Sequence, residues 1–406
     1  MMNIVHLHMV YPRYKTGVDR YLEMYARGIQ KGSYGFLKSH TVFLTDDTTR
    51  LFSTVSADDD GVVTATIPFI KSKLLFKDAF WRKKYFKVII ETLAPYLEKM
   101  PPLIFQYHNL FLSELAEEMK DHFGGKTVTH LHCIPWKYSS TVHPDHFNRL
   151  YQLYLDEAYD LFGETETSTV RYDLSDRIIC LSEAAKDYLV KIHQVDRDRI
   201  SIIYNGLEKR DVIRNSRDEP VPEILYAGKI SKEKGVFEML DALVHVKEKG
   251  YRFVVRMAGS VTQSDFTRLK TYSGELDIHF LGQITLDELY HLYARCTMGI
   301  IPSLYEQCSY VALEMAMNGV PMIVSEIDAL AEIFEHEKTA LLTPLGFDRD
   351  FGLKLDEGIF VKNIVRLLEE RELREQLSGQ VRDLYEERFT LDKMMAETVE
   401  MYQKMN

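Results

Sequence analysis

Short apolar runs rich in β-branched residues alternate with longer stretches of helical apolar spacing along almost the whole chain. Residues Ile4 to Leu7, Thr41 to Leu44, Leu103 to Tyr107, Thr127 to His132, Arg177 to Leu181 and Ser201 to Tyr204 read as strands. Runs that are apolar at nearly every position, joined by amphipathic crossovers, predict parallel strands buried on both faces by helices. The rhythm stops between Glu208 and Pro222, a charged stretch without an apolar period. It resumes with Glu223 to Ala227, Phe253 to Ala258, Ile278 to Leu281, Met298 to Ile301, Met322 to Val324 and Ala340 to Leu342. Two α/β domains are therefore expected, residues 1–212 and 222–385. The last segment, LDKMMAETVEMYQKM, carries apolar residues at helical spacing and needs a partner surface, so residues 386–406 are expected to form a helix returning to the first domain.

The length of 406 residues fits this division, since one ordinary core rarely grows so large. A formal charge of −11 and a pI near 5.7 argue against a general nucleic-acid binder, which needs a net basic field. Cys133, Cys180, Cys296 and Cys308 are scattered without a C-x-x-C, so neither a disulfide framework nor a cysteine zinc site is expected. The N-terminus lacks a basic region and cleavage site, and no stretch approaches the length of a spanning helix. The expectation is a soluble, cytoplasmic protein.

The candidate chemistry gathers at strand ends. The run Met298 to Ile301 stops at Pro302 and Ser303, and the next element, Tyr310 to Asn318, reads as a helix ended by Gly319 and Pro321. Glu306 then falls in the loop before that helix and Glu314 in its second turn. Open α/β sheets bind ligands outside the carboxyl ends of their strands, where helix N-termini offer free N–H groups to phosphate. The stretch Tyr226 to Val236 gives a strand, a glycine turn at Gly228, two cations at Lys229 and Lys234, and a helix start. Two cations beside a helix N-terminus suit a diphosphate, although a solvated lysine loop has the same composition.

Period two puts His130 with His132, and His6 with His8, on one strand face. No third ligand is evident, so no metal site is expected. His108 follows another strand end and reads equally as a packed histidine. Asp58-Asp59-Asp60 and Asp196-Arg197-Asp198 lie in turn-like stretches and read as turn residues. The chain contains no G-x-G, so the dinucleotide fingerprint is missing. Residues 71–87 carry seven Lys/Arg against one Asp, interleaved with aromatic residues. They read either as a basic helix lying on its own domain or as a peripheral contact with an anionic membrane, at the inner face, or with an anionic acceptor. Residues Cys133 to Tyr172 exceed a simple crossover and are assigned to the acceptor side.

Taken together, Gly228, Lys234-Gly235, the Glu306-x7-Glu314 pair and Asn318-Gly319-Val320-Pro321 resemble the family 4 retaining glycosyltransferases of GT-B fold. Thr16-Gly17-Val18-Asp19-Arg20 resembles that family's glycine loop. Asp176 to Glu183 resembles its strand leading to a serine-capped helix, and Tyr204-Asn205-Gly206 its Pro-Asn-Gly turn. The resemblance implies two Rossmann-like doubly wound parallel-sheet domains facing a central cleft. It also implies a metal-independent transfer from a nucleotide-diphosphate sugar, UDP- or GDP-linked, to a sugar, lipid-linked or peptide acceptor, with no cofactor. By resemblance Glu306 meets the donor sugar, Glu314 holds the ribose, Lys229 and Lys234 clamp the diphosphate, and His132 lies beside the sugar. Gly17, Gly228 and the backbone of Cys308, Ser309 and Tyr310 complete the donor contacts. Lys229 stands where relatives usually have arginine, and Gln307 and Ser309 stand where they have glycine. The replaced glycines leave open a nucleotide-sugar-binding partner protein without transfer, and a third reading keeps the fold but changes the reaction to that of a nucleotide-sugar epimerase.

Overall fold

The computed structural model describes all residues except 12–14, 33, 48, 70–77, 101, 135–171, 211–220, 349–351 and 406. The first part of the basic stretch, most of the segment assigned to the acceptor side and most of the charged stretch before Pro222 therefore lie outside the described residues. The described chain groups into two compact units, residues 1–134, 172–205 and 391–405 in one and 206–390 in the other.

The first unit is built on an eight-stranded sheet. Its strands are β1 (Met2–Val10), β2 (Leu37–Thr45), β3 (Thr54–Ala57), β4 (Val63–Pro68), β5 (Leu103–Tyr107), β6 (Lys126–Leu131), β7 (Arg177–Cys180) and β8 (Ile200–Ile202). Their order is β3-β4-β2-β1-β5-β6-β7-β8, parallel except for the antiparallel β3–β4 pair at one edge. β1 is buried along eight of its nine residues, which is why it reads as a continuous apolar run; Asn3, His6 and His8 are the polar residues within it. Helices α1 (Gly17–Lys31), α2 (Ala79–Leu97), α3 (Ser113–Phe123) and α4 (Glu183–His193) follow strands in turn.

The second unit has a six-stranded, wholly parallel sheet of β9 (Glu223–Ala227), β10 (Val254–Ala258), β11 (Ile278–Gly282), β12 (Met298–Ile301), β13 (Met322–Ser325) and β14 (Leu341–Thr343). Their order is β11-β10-β9-β12-β13-β14. Its longer helices are α5 (Val236–Glu248), α6 (Gln263–Thr271), α7 (Leu286–Arg295), α8 (Tyr310–Met317), α9 (Glu357–Glu369) and α10 (Arg371–Arg388). A short antiparallel hairpin, β15 (Leu345–Asp348) and β16 (Gly352–Leu355), precedes α9.

The last helix, α11 (Leu391–Gln403), belongs to the first unit. Met394, Met395, Val399, Met401 and Tyr402 are buried there, and the Tyr402 hydroxyl donates to Gln106 Oε1 on β5. Its close seat on α1 depends on Gly28, where a Cβ would come within 2.4 Å of Met395 Cγ. The expected start at residue 386 is too early. Residues up to Arg388 continue α10, whose end is held in the second unit by Tyr385 Oη donating to the Leu207 carbonyl at 2.9 Å and by Leu207 N–H donating to the Phe389 carbonyl at 2.9 Å.

Candidate active site

In the second unit the strand order reverses between β9 and β12, and ligands of open α/β sheets bind at such a switch point. The loop after β9 leaves Gly228 through backbone bonds to β10, then makes one turn at Lys232–Lys234 and enters α5 through Gly235. Gly235 has φ 62°, and a Cβ on it would lie 1.9 Å from the carbonyl oxygen of Pro302 at the end of β12. Only glycine allows both the left-handed backbone and this approach. The approach has a consequence for charge. Lys234 Nζ donates to Glu306 Oε1 at 2.6 Å, Ser303 Oγ donates to the same oxygen at 3.0 Å, and Leu304 N–H donates to the Glu233 carbonyl at 3.1 Å.

Lys229, half exposed, donates to Glu233 at 2.8 Å. Burial pushes the Glu233 carboxyl up, but hydrogen bonds from Lys229, its own backbone and Ser231 together with the Lys229 charge hold it below the ordinary carboxylate range. Tyr226 Oη donates to the Lys229 carbonyl at 2.6 Å; burial, and then the charges of Glu306 and Glu233, push its ionisation well up, so it stays a donor.

After Glu306 the chain turns into α8. Gln307, Cys308 and Ser309 are all buried. The Gln307 amide donates to the Tyr305 hydroxyl at 3.0 Å, and Ser309 caps α8, its Oγ accepting from Ala312 N–H. The two side chains that replace glycines are thus used inside the loop itself. Tyr310 is the first residue of α8. The helix ends in a Schellman arrangement, with Gly319 N–H on the Ala316 carbonyl and Val320 N–H on the Met315 carbonyl. Glu314 is only 4% exposed, and its Oε2 accepts from Tyr293 Oη at 3.1 Å. Burial, then the neighbouring Glu314 charge, drive the Tyr293 phenol well above its usual value, so it too remains a donor.

In the first unit the reversal lies between β1 and β5, and there the strand ends carry histidines. His6 Nδ1 lies 3.0 Å from His108 Nε2, and His108 Nδ1 lies 2.9 Å from His132 Nε2. His130 stacks on His132 with centroids 4.0 Å apart, and its Nδ1 is 3.3 Å from the Gln106 amide nitrogen. Both ring nitrogens of His8 face oxygens, Asn109 Oδ1 at 3.2 Å and Asp19 Oδ1 at 3.2 Å. Burial works against the Asp19 charge, yet hydrogen bonds from His8 and Thr16 hold its pKa down at about 2. Burial above all, then the charge of His8, pulls His132 down to about 3. Burial and neighbouring histidines do the same to His6, also to about 3, and take His108 and His130 well below their ordinary value. Thr16 caps α1 reciprocally with Asp19, and a Cβ on Gly17 would meet nothing within 4 Å.

His108, His130 and His132 bring ligand nitrogens within 4.8 Å of one another, a set of three neutral imidazoles that a metal ion could use. The 2.9 Å separation of His108 Nδ1 and His132 Nε2 is a hydrogen-bond distance. It is shorter than the roughly 3.3 Å that two nitrogens keep around a tetrahedral zinc with bonds near 2.0–2.1 Å.

The family described as Glycosyl transferases group 1 matches residues 208–383, and Glycosyltransferase Family 4 matches residues 40–210. The chain belongs to glycosyltransferase family 4. An uncharacterized glycosyltransferase of Methanocaldococcus jannaschii is 26% identical over 69% of this chain and 72% of its own. Among solved structures, sucrose-phosphate synthase from Thermosynechococcus elongatus superposes with a TM-score of 0.72 at 17% identity, covering 100% of this chain and 99% of that one. Anabaena HepE, solved in complex with UDP-glucose, gives 0.66 at 15% identity, covering 99% of each chain. These likenesses establish the GT-B fold.

Within this glycosyltransferase the second unit joins Lys234 to Glu306 directly and keeps Lys229 on Glu233 in the same loop. Glu314, buried on α8, accepts from Tyr293. His132 lies in the first unit, joined to His108 and through it to His6. The sequence reasoning found no third histidine near His130 and His132; the structure supplies His108. It also missed Glu233 and Tyr293. A carboxylate four residues after Lys229 was a legible signal for the first. Nothing in the local pattern singles out Tyr293 from the other apolar positions of α7.

Proposed function

We propose that this glycosyltransferase moves a sugar from a nucleotide-diphosphate donor to an acceptor hydroxyl, with retention at the anomeric carbon and without a metal. The Lys234–Glu306 contact at 2.6 Å carries the reading, because it sets a cation and a carboxylate side by side at the switch point of the second unit. A diphosphate that takes Lys234 from Glu306 leaves that carboxylate for a sugar hydroxyl. Lys229, once drawn from Glu233, adds a second positive charge. The two lysines then neutralise the departing diphosphate, the task a divalent cation performs in other transferases. The anomeric carbon–oxygen bond to phosphate breaks, the acceptor oxygen bonds to the same face, and the acceptor proton passes to the departing phosphate oxygen. Glu314, held by Tyr293, is assigned to the ribose hydroxyls. HepE is solved with UDP-glucose, which favours a uridine donor for this chain.

The test is turnover of purified protein over UDP- and GDP-sugars and an acceptor panel, with and without chelator, the product anomer read by proton NMR. Retained configuration and chelator-insensitive turnover are expected. Turnover abolished by chelator removes the metal-free scheme, and an inverted product removes retention. Tight donor binding without turnover favours a binding protein, and donor isomerised without acceptor favours an epimerase.

For acceptor delivery we propose that α2 docks on an anionic membrane. In a chain of net charge −11, Phe80 and Trp81 are more than half exposed beside Lys83, Lys84 and Lys87, with Lys84 Nζ 4.4 Å from the Phe80 ring centre. No helix among the described residues is long and apolar enough to cross a membrane. Cosedimentation with vesicles containing phosphatidylglycerol, lost in Trp81→Ser with Lys83→Glu, is expected; equal binding to neutral vesicles would remove the proposal.

A further inference from the structure

The three imidazoles of His6, His108 and His132 form one chain of hydrogen bonds, His6 Nδ1 to His108 Nε2 at 3.0 Å and His108 Nδ1 to His132 Nε2 at 2.9 Å. A neutral imidazole has one N–H and one lone pair. His108 has both nitrogens engaged, so it donates at one end and accepts at the other, and its single proton ties the tautomer of His6 to that of His132. Only two arrangements are possible. Either every proton points from His132 toward His6, which leaves His132 Nδ1 a bare acceptor and His6 Nε2 an N–H. Or every proton points from His6 toward His132, which makes His132 Nδ1 an N–H and leaves a lone pair on His6 Nε2.

The far end of the chain selects between them. Among the described residues His6 Nε2 is fully buried and has no hydrogen-bond partner. A buried N–H without a partner is rarer in folded proteins than an under-satisfied acceptor. The Tyr25 ring beside His6, edge-on with centroids 4.6 Å apart, offers a weak contact at most. The second arrangement is favoured: His6 Nδ1–H donates to His108, His108 Nδ1–H donates to His132, and His132 presents Nδ1–H.

We propose that His6 and His108 are positioning residues that lock His132 as a neutral Nδ1–H donor. The assignment rests on the reading of His132 as a sugar-side residue. The relay is a lock, not a proton sink. A proton delivered to His132 would place a charge among His6, His8, His108 and His130, with Asp19, on α1 and already bonded to His8, as the acidic group beside them. The depressed basicity of all the linked rings, caused chiefly by burial, supports that conclusion. His130 stands outside the relay, its Nδ1 3.3 Å from the Gln106 amide nitrogen.

The experiment is nitrogen-15 NMR of ring-labelled histidine in the full chain, with His132 assigned by the loss of its signals in His132→Gln. In the wild type His132 is expected as a single tautomer protonated at Nδ1 and unchanged from pH 8 to 5.5. His6→Phe removes the terminal donor two rings away, so His132 should become a mixture of tautomers. Its kcat should fall about tenfold or more at a nearly constant KM for the donor. His6→Gln, which restores a donor, should recover both the tautomer and the rate. A wild-type His132 protonated at Nε2, or a His6→Phe variant with an unaltered tautomer, overturns the lock. An ordered tautomer in a wild-type protein without turnover supports the relay while failing the transferase reading.

Discussion

The smallest unit with a clear energetic meaning is the contact between Gly235 and the Pro302 carbonyl, since it decides where Lys234 stands. Gly235→Ala places a methyl 1.9 Å from that oxygen at φ 62°. Left-handed strain alone costs about 1–3 kcal/mol, and the backbone must shift besides. The expected result in urea unfolding is a loss at least that large, with weakened donor binding; unchanged stability would show that the contact is not tight. Glu306→Gln and Lys234→Met separate two roles. Glu306→Gln keeps the shape and should lower kcat about 100-fold with little change in donor affinity. Lys234→Met should weaken binding of nucleoside diphosphate itself, read by calorimetry; equal affinity in both variants and the wild type would remove the site. Tyr293→Phe removes the hydroxyl that donates to buried Glu314, a loss of about 1–3 kcal/mol.

At the scale of elements, the reading from sequence succeeds where burial is symmetrical and fails where it is not. β5, β9 and β12 coincide with the apolar runs Leu103–Tyr107, Glu223–Ala227 and Met298–Ile301, because interior parallel strands need apolar residues on both faces. The edge strand β3, Thr54–Ala57, is mostly exposed and has no period to detect. The hairpin β15–β16 escaped for the same reason, being a two-stranded ribbon outside the main sheets. The last helix was legible as an amphipathic segment, but its start was not: Tyr385 and Phe389 bond to Leu207, and those partners are about 180 residues away in sequence. Gly28 is the hidden half of that packing. Gly28→Leu drives a side chain into Met395 and should cost about 1–3 kcal/mol by overpacking. Hydrogen exchange should quicken through α11 in this variant while the second unit keeps its protection, and equal exchange in α11 would contradict the packing account.

For the molecule as a whole, the histidine cluster makes stability a function of pH, and this could not be read from sequence because its members come from β1, the end of β5 and the end of β6. In the unfolded chain a histidine takes up its proton near pH 6.5. Folded, His6 and His132 do so only near 3, His40 near 4, and His108 and His130 lower than their ordinary value by a wide margin. Below pH 6.5 the unfolded state therefore binds more protons than the folded one, and stability falls with pH until the folded values are reached. Each such group adds a slope approaching about 1.4 kcal/mol per pH unit. The carboxylates act elsewhere on the scale: Asp19, held at about 2, stabilises above its unfolded value near 3.8 and gives nothing up between pH 7 and 5. Trp81, on α2 of the first unit, gives a fluorescence signal from the unit that holds the cluster. Urea midpoints followed by that signal should drop steeply between pH 7 and 5, and less steeply in His6→Gln, which removes one of the titrating rings. A flat profile over that range would mean that the imidazoles are already charged or reachable by water in the folded protein, and the neutral chain from His6 to His132 would not exist.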